Sequence, residues 1–220
     1  MFEGFSQQTV DFMWGIRFHN ERSWFLEHKE IFQTHFLHPM KELAAQVQSQ
    51  LGVSGMNVKV SRIYRDARRL FGRGPYKDHL WFTLFQGDGR EEGVRPVLWF
   101  ELAPEGWSHG MGFFHARPAI MERHRTRIRR NPAPLLALHQ LLMEQDTFVL
   151  SGPDYARCKV CPTPQLQDWY SKRSLALEHN SALTEELYTP QLALRLVEDF
   201  SFLMPFYQYF STLWADPEGT

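Results

Sequence analysis

Seven cations and a single acid fall between Lys59 and Lys77: Lys59, Arg62, Arg65, Arg68, Arg69, Arg73 and Lys77 against Asp66. The whole chain carries a formal charge of −1 at pH 7, so the excess is local and its natural partner is anionic. Guanidinium forks match phosphate and carboxylate oxygens bidentately. A second cationic stretch holds Arg117, Arg123, Arg125, Arg127, Arg129 and Arg130. On a helix Arg123, Arg127 and Arg130 share one face, and Met121, Arg125 and Ile128 another. Arg125 therefore sits beside apolar neighbours, where a guanidinium needs a partner. These positions predict a pocket for a small anionic ligand, built from Arg65, Arg68, Lys77 and Arg125. Arg22, at the start of the second helix, joins them. The competing reading pairs the same arginines with Asp66, Asp78, Glu101 and helix ends as structural ion pairs.

Three residues could move protons near such an anion. Glu101 lies in an otherwise apolar strand (Val97, Leu98, Trp99, Phe100, Leu102), where a carboxylate must be paired or at an edge. It is a candidate general base or an arginine's structural partner. Tyr64 can donate or carry a proton, or simply pack with a wet hydroxyl. Asp66 stands among the arginines themselves. Cys158 and Cys161 form a lone pair at two-residue spacing, short of the four ligands of a structural zinc site. They are read as ordinary thiols, with a redox pair as the alternative. The ten histidines contain no His-Glu-x-x-His motif. There is no phosphate loop, dinucleotide fingerprint or nucleophile elbow. No metal and no cofactor is therefore expected. Trp24, Phe25, Trp81, Trp99 and Trp107 could stack on bases, but they fall at core periodicity.

The elements that must position these residues follow from composition and period. Hydrophobic residues make up 43% of the 220, and aromatics 15%, ample for a packed core. The N-terminus lacks a basic segment followed by an apolar run, and no stretch of roughly 18 apolar residues occurs. With only two cysteines, the chain is expected to be a soluble cytoplasmic protein without disulfides. The near-neutral charge argues against general coating of nucleic acid.

Ser6 caps a first helix to Phe18, and Asn20 caps a second. Trp24, Phe25, Ile31, Phe32, Phe36, Met40, Leu43, Ala44, Val47 and Leu51 make one stripe on this second helix. Pro39 must kink or split it, and Gly52 ends it. Four strands follow, at 57–65, 80–86, 94–103 and 107–115, the second and third joined through a turn at Gly87-Asp88-Gly89. If the first strand is regular, Arg62 and Arg65 point to opposite faces. Gly110 and Gly112, two apart in the fourth strand, leave room for another backbone or a ligand. The remainder is expected to be mainly helical, with helices at 118–130, 134–145 and 190–214. The last is apolar nearly all round, so it is either deeply buried or a homodimer contact. Helices, then strands, then helices predict a single-domain α+β fold over residues 1–220, with a mainly antiparallel sheet of four or more strands.

Three blocks of residues carry a resemblance. Gly4-Phe5, Asn20-x-Arg22-x-Trp24-Phe25, Lys29 and Pro39 form the first. Tyr64-Arg65-Asp66-x-Arg68 followed by Pro75-Tyr76-Lys77 forms the second. Gly110-Met111-Gly112, Pro118, Arg125 and Ile128 form the third. The pattern resembles the bacterial and fungal family called domain of unknown function 2461, over about residues 4–130, with a helical part at about 131–215 that it does not cover. The resemblance implies a single α+β domain and no particular activity. Where members carry Phe-Ser-Lys-Asp-Lys, this chain has Arg69-Leu70-Phe71-Gly72-Arg73-Gly74, which keeps cations at Arg69 and Arg73. Three functions stay open: an enzyme on a phosphorylated or carboxylated small molecule, a module binding nucleic acid or an acidic protein segment, and a dimerising scaffold.

Overall fold

A computed structural model of the protein describes residues 1–70, 72–87, 93–157 and 159–215. Helix α1 (Gln7–Phe18) starts where expected, at Ser6. The Ser6 N–H donates to Thr9 Oγ1 at 3.1 Å, and the Thr9 N–H to Ser6 O at 2.9 Å, satisfying donors that a helix start leaves free. The second predicted helix is broken into α2 (Arg22–Glu27), α3 (Lys29–Ile31), a π-helical turn (Phe32–Leu37) and α4 (His38–Leu51). Glu21, not Asn20, stands at the α2 cap position, and the Asn20 side chain is used elsewhere, as shown below.

Pro39 accounts for part of the break. It has no N–H, so the carbonyl four residues back, His35 O, loses its helical donor. The buried Thr9 hydroxyl supplies one instead, at 2.5 Å. The turn before Pro39 is widened to i→i−5 bonding, with the His38 N–H donating to Gln33 O. Phe32, Phe36, Met40, Leu43, Ala44 and Val47 remain buried, as the stripe requires, while Ile31 is exposed. Gly52 closes α4 in the left-handed conformation, φ 64°.

The described strands form one antiparallel sheet in the order β1-β2-β3-β4-β6-β5. They are β1 (Met56–Val60), β2 (Leu80–Gln86), β3 (Val97–Ala103), β4 (Gly106–Gly112), β5 (Val149–Ser151) and β6 (Ala176–Ala182). Leu80, Phe82 and Leu84 on β2 and Leu98, Phe100 and Leu102 on β3 are fully buried, and their alternating neighbours are half-buried. Both strands thus present one core face and one partly open face. The Asp88-Gly89 part of the predicted turn lies outside the described residues. The part after residue 131 is not purely helical, since β5 and β6 lie in it. Their register is antiparallel, Val149 opposite Glu178 and Ser151 opposite Ala176. At Gly112 a Cβ would press on Leu175 O and Ala176, so the space left by this glycine is filled by backbone entering β6.

Helices α5 (Pro118–Arg130), α6 (Ala133–Met143), α7 (Gln167–Ser171) and α8 (Gln191–Ser211) complete the fold. In α8, Leu192, Leu196, Phe200, Leu203, Phe206, Tyr207 and Phe210 are buried within the chain. Two of the α5 arginines finish α8. Arg127 Nη1 donates to Tyr209 O at 2.9 Å, and Arg123 Nη1 to Trp214 O at 2.5 Å. Carbonyls at a helix C-terminus attract such cations. The residues cluster into two compact units, Met1–Leu84 with Trp99–His109 and Asn180–Glu198, and Phe85–Leu98 with Gly110–His179 and Asp199–Thr220. No helix among the described residues is long and apolar enough to cross a membrane.

Thr9→Val keeps the volume but removes the hydroxyl that donates to His35 O. It is expected to cost about 1–3 kcal/mol, read as a lower denaturant midpoint with an unchanged slope.

Candidate functional site

The first unit contains the cation-rich segment. Strand β1 stops at Val60, earlier than predicted, because the ladder to β2 is interrupted at Ser61. The Ser61 N–H donates to Trp81 O at 2.8 Å, but the Trp81 N–H goes to the Ser61 hydroxyl at 3.0 Å. The chain then makes an excursion closed by a bridge between Tyr64 and Tyr76. The Arg65 N–H donates to Pro75 O at 2.8 Å, and the Lys77 N–H to Ile63 O at 2.7 Å. Phe25 stacks on Tyr76 with ring centroids 4.4 Å apart.

Asn20 locks this base. Its Nδ2 donates to Tyr76 O at 2.9 Å, and its Oδ1 accepts the Tyr76 N–H at 2.9 Å. A side-chain amide thereby pairs with both backbone polar groups of one residue, as a neighbouring strand would. A Cβ on Gly74 would collide with the Asn20 side chain, so the glycine makes the approach possible. Arg65 Nε donates to the same Tyr76 O at 2.7 Å.

The predicted site residues fall into three situations. Arg65 and Lys77 are held close to the sheet. The Arg65 side chain is 19% exposed, with Nη2 4.0 Å from Asp78 Oδ1. Lys77 is half-buried, with Nζ 5.5 Å from the centre of the Trp81 ring. Burial pushes its pKa down; the nearby Arg65 charge adds to this, and Glu101 opposes it. Among the described residues, neither Lys77 Nζ nor the Glu101 carboxylate has a hydrogen bond. Arg68 is different: its side chain is 88% exposed, and it donates through Nε (3.0 Å) and Nη2 (2.9 Å) to Asp66. Asp66 also accepts the Arg68 N–H at 3.0 Å, capping the single turn Ala67–Arg69. Arg22 is exposed and feels the Tyr76 hydroxyl electrostatically. Tyr64 is exposed, its ring 5.4 Å from that of Tyr76. Arg125 belongs to the second unit and is bonded to Glu122 there.

Sequence reasoning missed Arg17 and His79 as neighbours of the site; Asp78 entered it only as a structural partner for the arginines, and Trp81 only as an aromatic at core periodicity. Arg17 Nε donates to Asp78 Oδ2 at 2.5 Å, and its Nη1 and Nη2 grip Glu105. His79 Nδ1 lies 2.9 Å from Asp78 Oδ1. The His79 ring, then Arg17, holds the Asp78 carboxyl well below the usual carboxylate range, although burial acts the other way. Arg17 and Asp78 are 61 positions apart, and no local pattern links them. Beside this network, Glu101, Ala103, Glu105, Trp107, Ser108 and Asn180 help to line a shallow recess of about 270 Å³. Glu101 is thus exposed to a concavity on one side and to the Lys77 charge on the other.

Cys161 is buried and its N–H donates to Gln167 Oε1 at 2.9 Å; Cys158 lies outside the described residues. Among the described residues no three acids, histidines or cysteines are grouped to hold a metal ion.

The family model of a conserved hypothetical protein, DUF2461, matches residues 8–209. The chain belongs to this family. The match runs well beyond the blocks near residues 4–130, through β5, β6 and most of α8. None of the curated proteins compared with the chain matches it. The matched range contains the Tyr64–Tyr76 excursion and Asn20, the side chain that grips it.

Asn20→Ala leaves the Tyr76 N–H without this acceptor and is expected to cost about 2–3 kcal/mol in chemical denaturation. Asp78 gives a pH signature. Its folded carboxyl titrates below the ordinary 3.8, so its contribution is present above that value and is lost as pH falls through the folded one. Stability should drop from about pH 4 downward. Asp78→Asn should lower stability at pH 7 and flatten that drop, as read from urea midpoints across pH.

Proposed function

We propose that the first unit binds a small phosphorylated or carboxylated molecule, its anion on Arg65 and Lys77 and its body against Trp81 and Glu101. The observation that carries this reading is Lys77. A half-buried ammonium with no hydrogen bond among the described residues, crowded by a second cation, is costly to keep. An oxyanion would supply the missing acceptors and offset the Arg65–Lys77 repulsion, with guanidinium and ammonium both donating. Arg22 and Arg68, both exposed, form the outer rim; Arg68 would exchange one Asp66 contact for the ligand.

Glu101 supports an enzymatic version of the same reading. It faces the recess and forms no hydrogen bond among the described residues, so it can accept a proton or a hydroxyl hydrogen from the bound molecule. Tyr64 and Asp66 are the remaining proton-handling candidates, although Asp66 is already engaged with Arg68. An ion-paired Arg17–Asp78–His79 set beneath Arg65 keeps the binding cations in place without consuming Lys77.

A thermal-shift series with sugar phosphates, nucleoside monophosphates and dicarboxylates tests this. The expected result is a saturable rise in Tm for one class, reduced at least about tenfold in apparent affinity by Lys77→Ala. The ligand-free Tm of that variant should change little. Glu101→Gln should still bind and, if the molecule is turned over, lose turnover. A large drop in the ligand-free Tm of Lys77→Ala, with no ligand effect in the parent, would make Lys77 a packing residue and end the reading.

A further inference from the structure

The second unit contains a separate concentration of positive charge that this function does not use. Its centre is Arg125 on α5, 2% exposed. Arg125 Nε and Nη2 donate to Glu122 Oε2 at 3.1 and 2.9 Å. Its guanidinium carbon lies 4.8 Å from the centre of the Tyr155 ring. Its third nitrogen, Nη1, is buried with no hydrogen-bond partner among the described residues. A buried guanidinium donor left without an acceptor is rare and calls for an explanation.

The surroundings supply one. Glu122 is shared by two further cations. Arg129 Nη2 donates to Oε1 at 3.0 Å and Lys159 Nζ to Oε2 at 3.4 Å. Lys159 Nζ is also 5.4 Å from the Tyr155 ring centre. Three cations thus meet one carboxylate, an excess of two positive charges. Burial works against the Glu122 anion, but hydrogen bonds from Arg125 and Arg129 and the Lys159 charge hold its carboxyl down at about 2. It is already fully ionised at neutral pH and cannot offset more. His124, the next residue on α5, is neutral, since burial beside Arg125 and Arg127 pushes it to about 3. Asp154, adjacent to Tyr155, is taken by Lys172 at 3.1 Å.

The geometry suits one bound group. Nη1 shares its carbon with Nη2, and Lys159 contacts the same oxygen that Nη2 does. The unused donor and the Lys159 ammonium thus belong to one cluster of cations gathered at the Glu122 carboxylate. Arg129 and Lys159 are half-exposed on flexible stems and can turn toward an incoming oxygen, while Arg125 is fixed by burial. Arg129 Nη1 is braced by the Tyr170 hydroxyl at 2.7 Å, which keeps its other nitrogens on this side.

We propose that the second unit holds a doubly charged, phosphate-type oxyanion between Arg125, Arg129 and Lys159, with the Tyr155 ring as one wall. The bound charge matches the excess, and its oxygens give Arg125 Nη1 the acceptor it lacks. The site is independent of Arg65 and Lys77.

The test uses the full chain and two double variants. Inorganic phosphate and sulfate are titrated at constant ionic strength, with chloride as control, followed by Tm and by calorimetry. The parent is expected to show a saturable response to phosphate and sulfate and none to chloride. Arg129→Gln/Lys159→Ala should weaken this response by about tenfold or more, while Arg65→Gln/Lys77→Ala leaves it in place. No saturable response overturns the proposal. So does a response that survives Arg129→Gln/Lys159→Ala. A response lost only in Arg65→Gln/Lys77→Ala assigns phosphate to the first unit alone and likewise overturns it.

Discussion

The pairing of the Asn20 amide with both polar groups of the Tyr76 peptide fixes the geometry of the first unit's charged face. Two hydrogen bonds of 2.9 Å hold a residue that, among the described residues, has no strand partner on that side. Everything chemically interesting nearby is measured from that peptide. Tyr76 O also receives Arg65 Nε, so the guanidinium's direction is set by the same carbonyl. The next residue, Lys77, is tied to Ile63 O, and its side chain is thereby delivered over Trp81 on the half-buried face of β2. Gly74 and Phe25 are the steric counterparts, one leaving space for the amide and the other covering Tyr76.

Charge is handled differently in different parts of the chain. At the tip of the excursion, Arg68 and Asp66 neutralise each other in solvent, where such a pair contributes little to stability. Beneath Arg65, Asp78 is held by His79 and Arg17 in a partly buried setting, where losing one partner would strand a charge. On α5, Arg123 and Arg127 serve carbonyls at the end of α8. The arginine-rich stretches that look alike in the sequence therefore divide into solvated pairs, helix-end donors and guanidinium groups tied into the fold. Of the last kind, Arg125 is buried and Arg65 is 19% exposed, whereas Arg68 at the tip is 88% exposed.

Much of the architecture was legible because it rests on local rules. The β2 strand, the start of α1 at Ser6 and the Gly52 stop follow from period and capping chemistry. The second helix was legible as a stripe but not as a broken rod, because the partner that stabilises the break, Thr9, comes from another helix. Strands β5 and β6 were hidden by length and polarity: Val149–Ser151 has three residues, and Glu178, His179, Asn180 and Ser181 give β6 no apolar alternation. In the candidate site, Arg65, Lys77 and Glu101 could be nominated by residue type. That Arg68 folds back on Asp66, and that Asn20 grips Tyr76 instead of capping a helix, depends on contacts that residue spacing does not encode.

The widened turn at Phe32–Leu37 also changes what the gene can tolerate. A π turn holds one more residue than an α turn while keeping the helix on either side in phase. A chain one residue shorter within that turn could close it into ordinary α-helix and still aim Met40, Leu43 and Val47 inward. The same deletion inside α4 would swing the residues after it by about 100° around the axis and turn part of that row toward water. Between Phe32 and Leu51, single-residue length variation should therefore be confined to the six positions before His38.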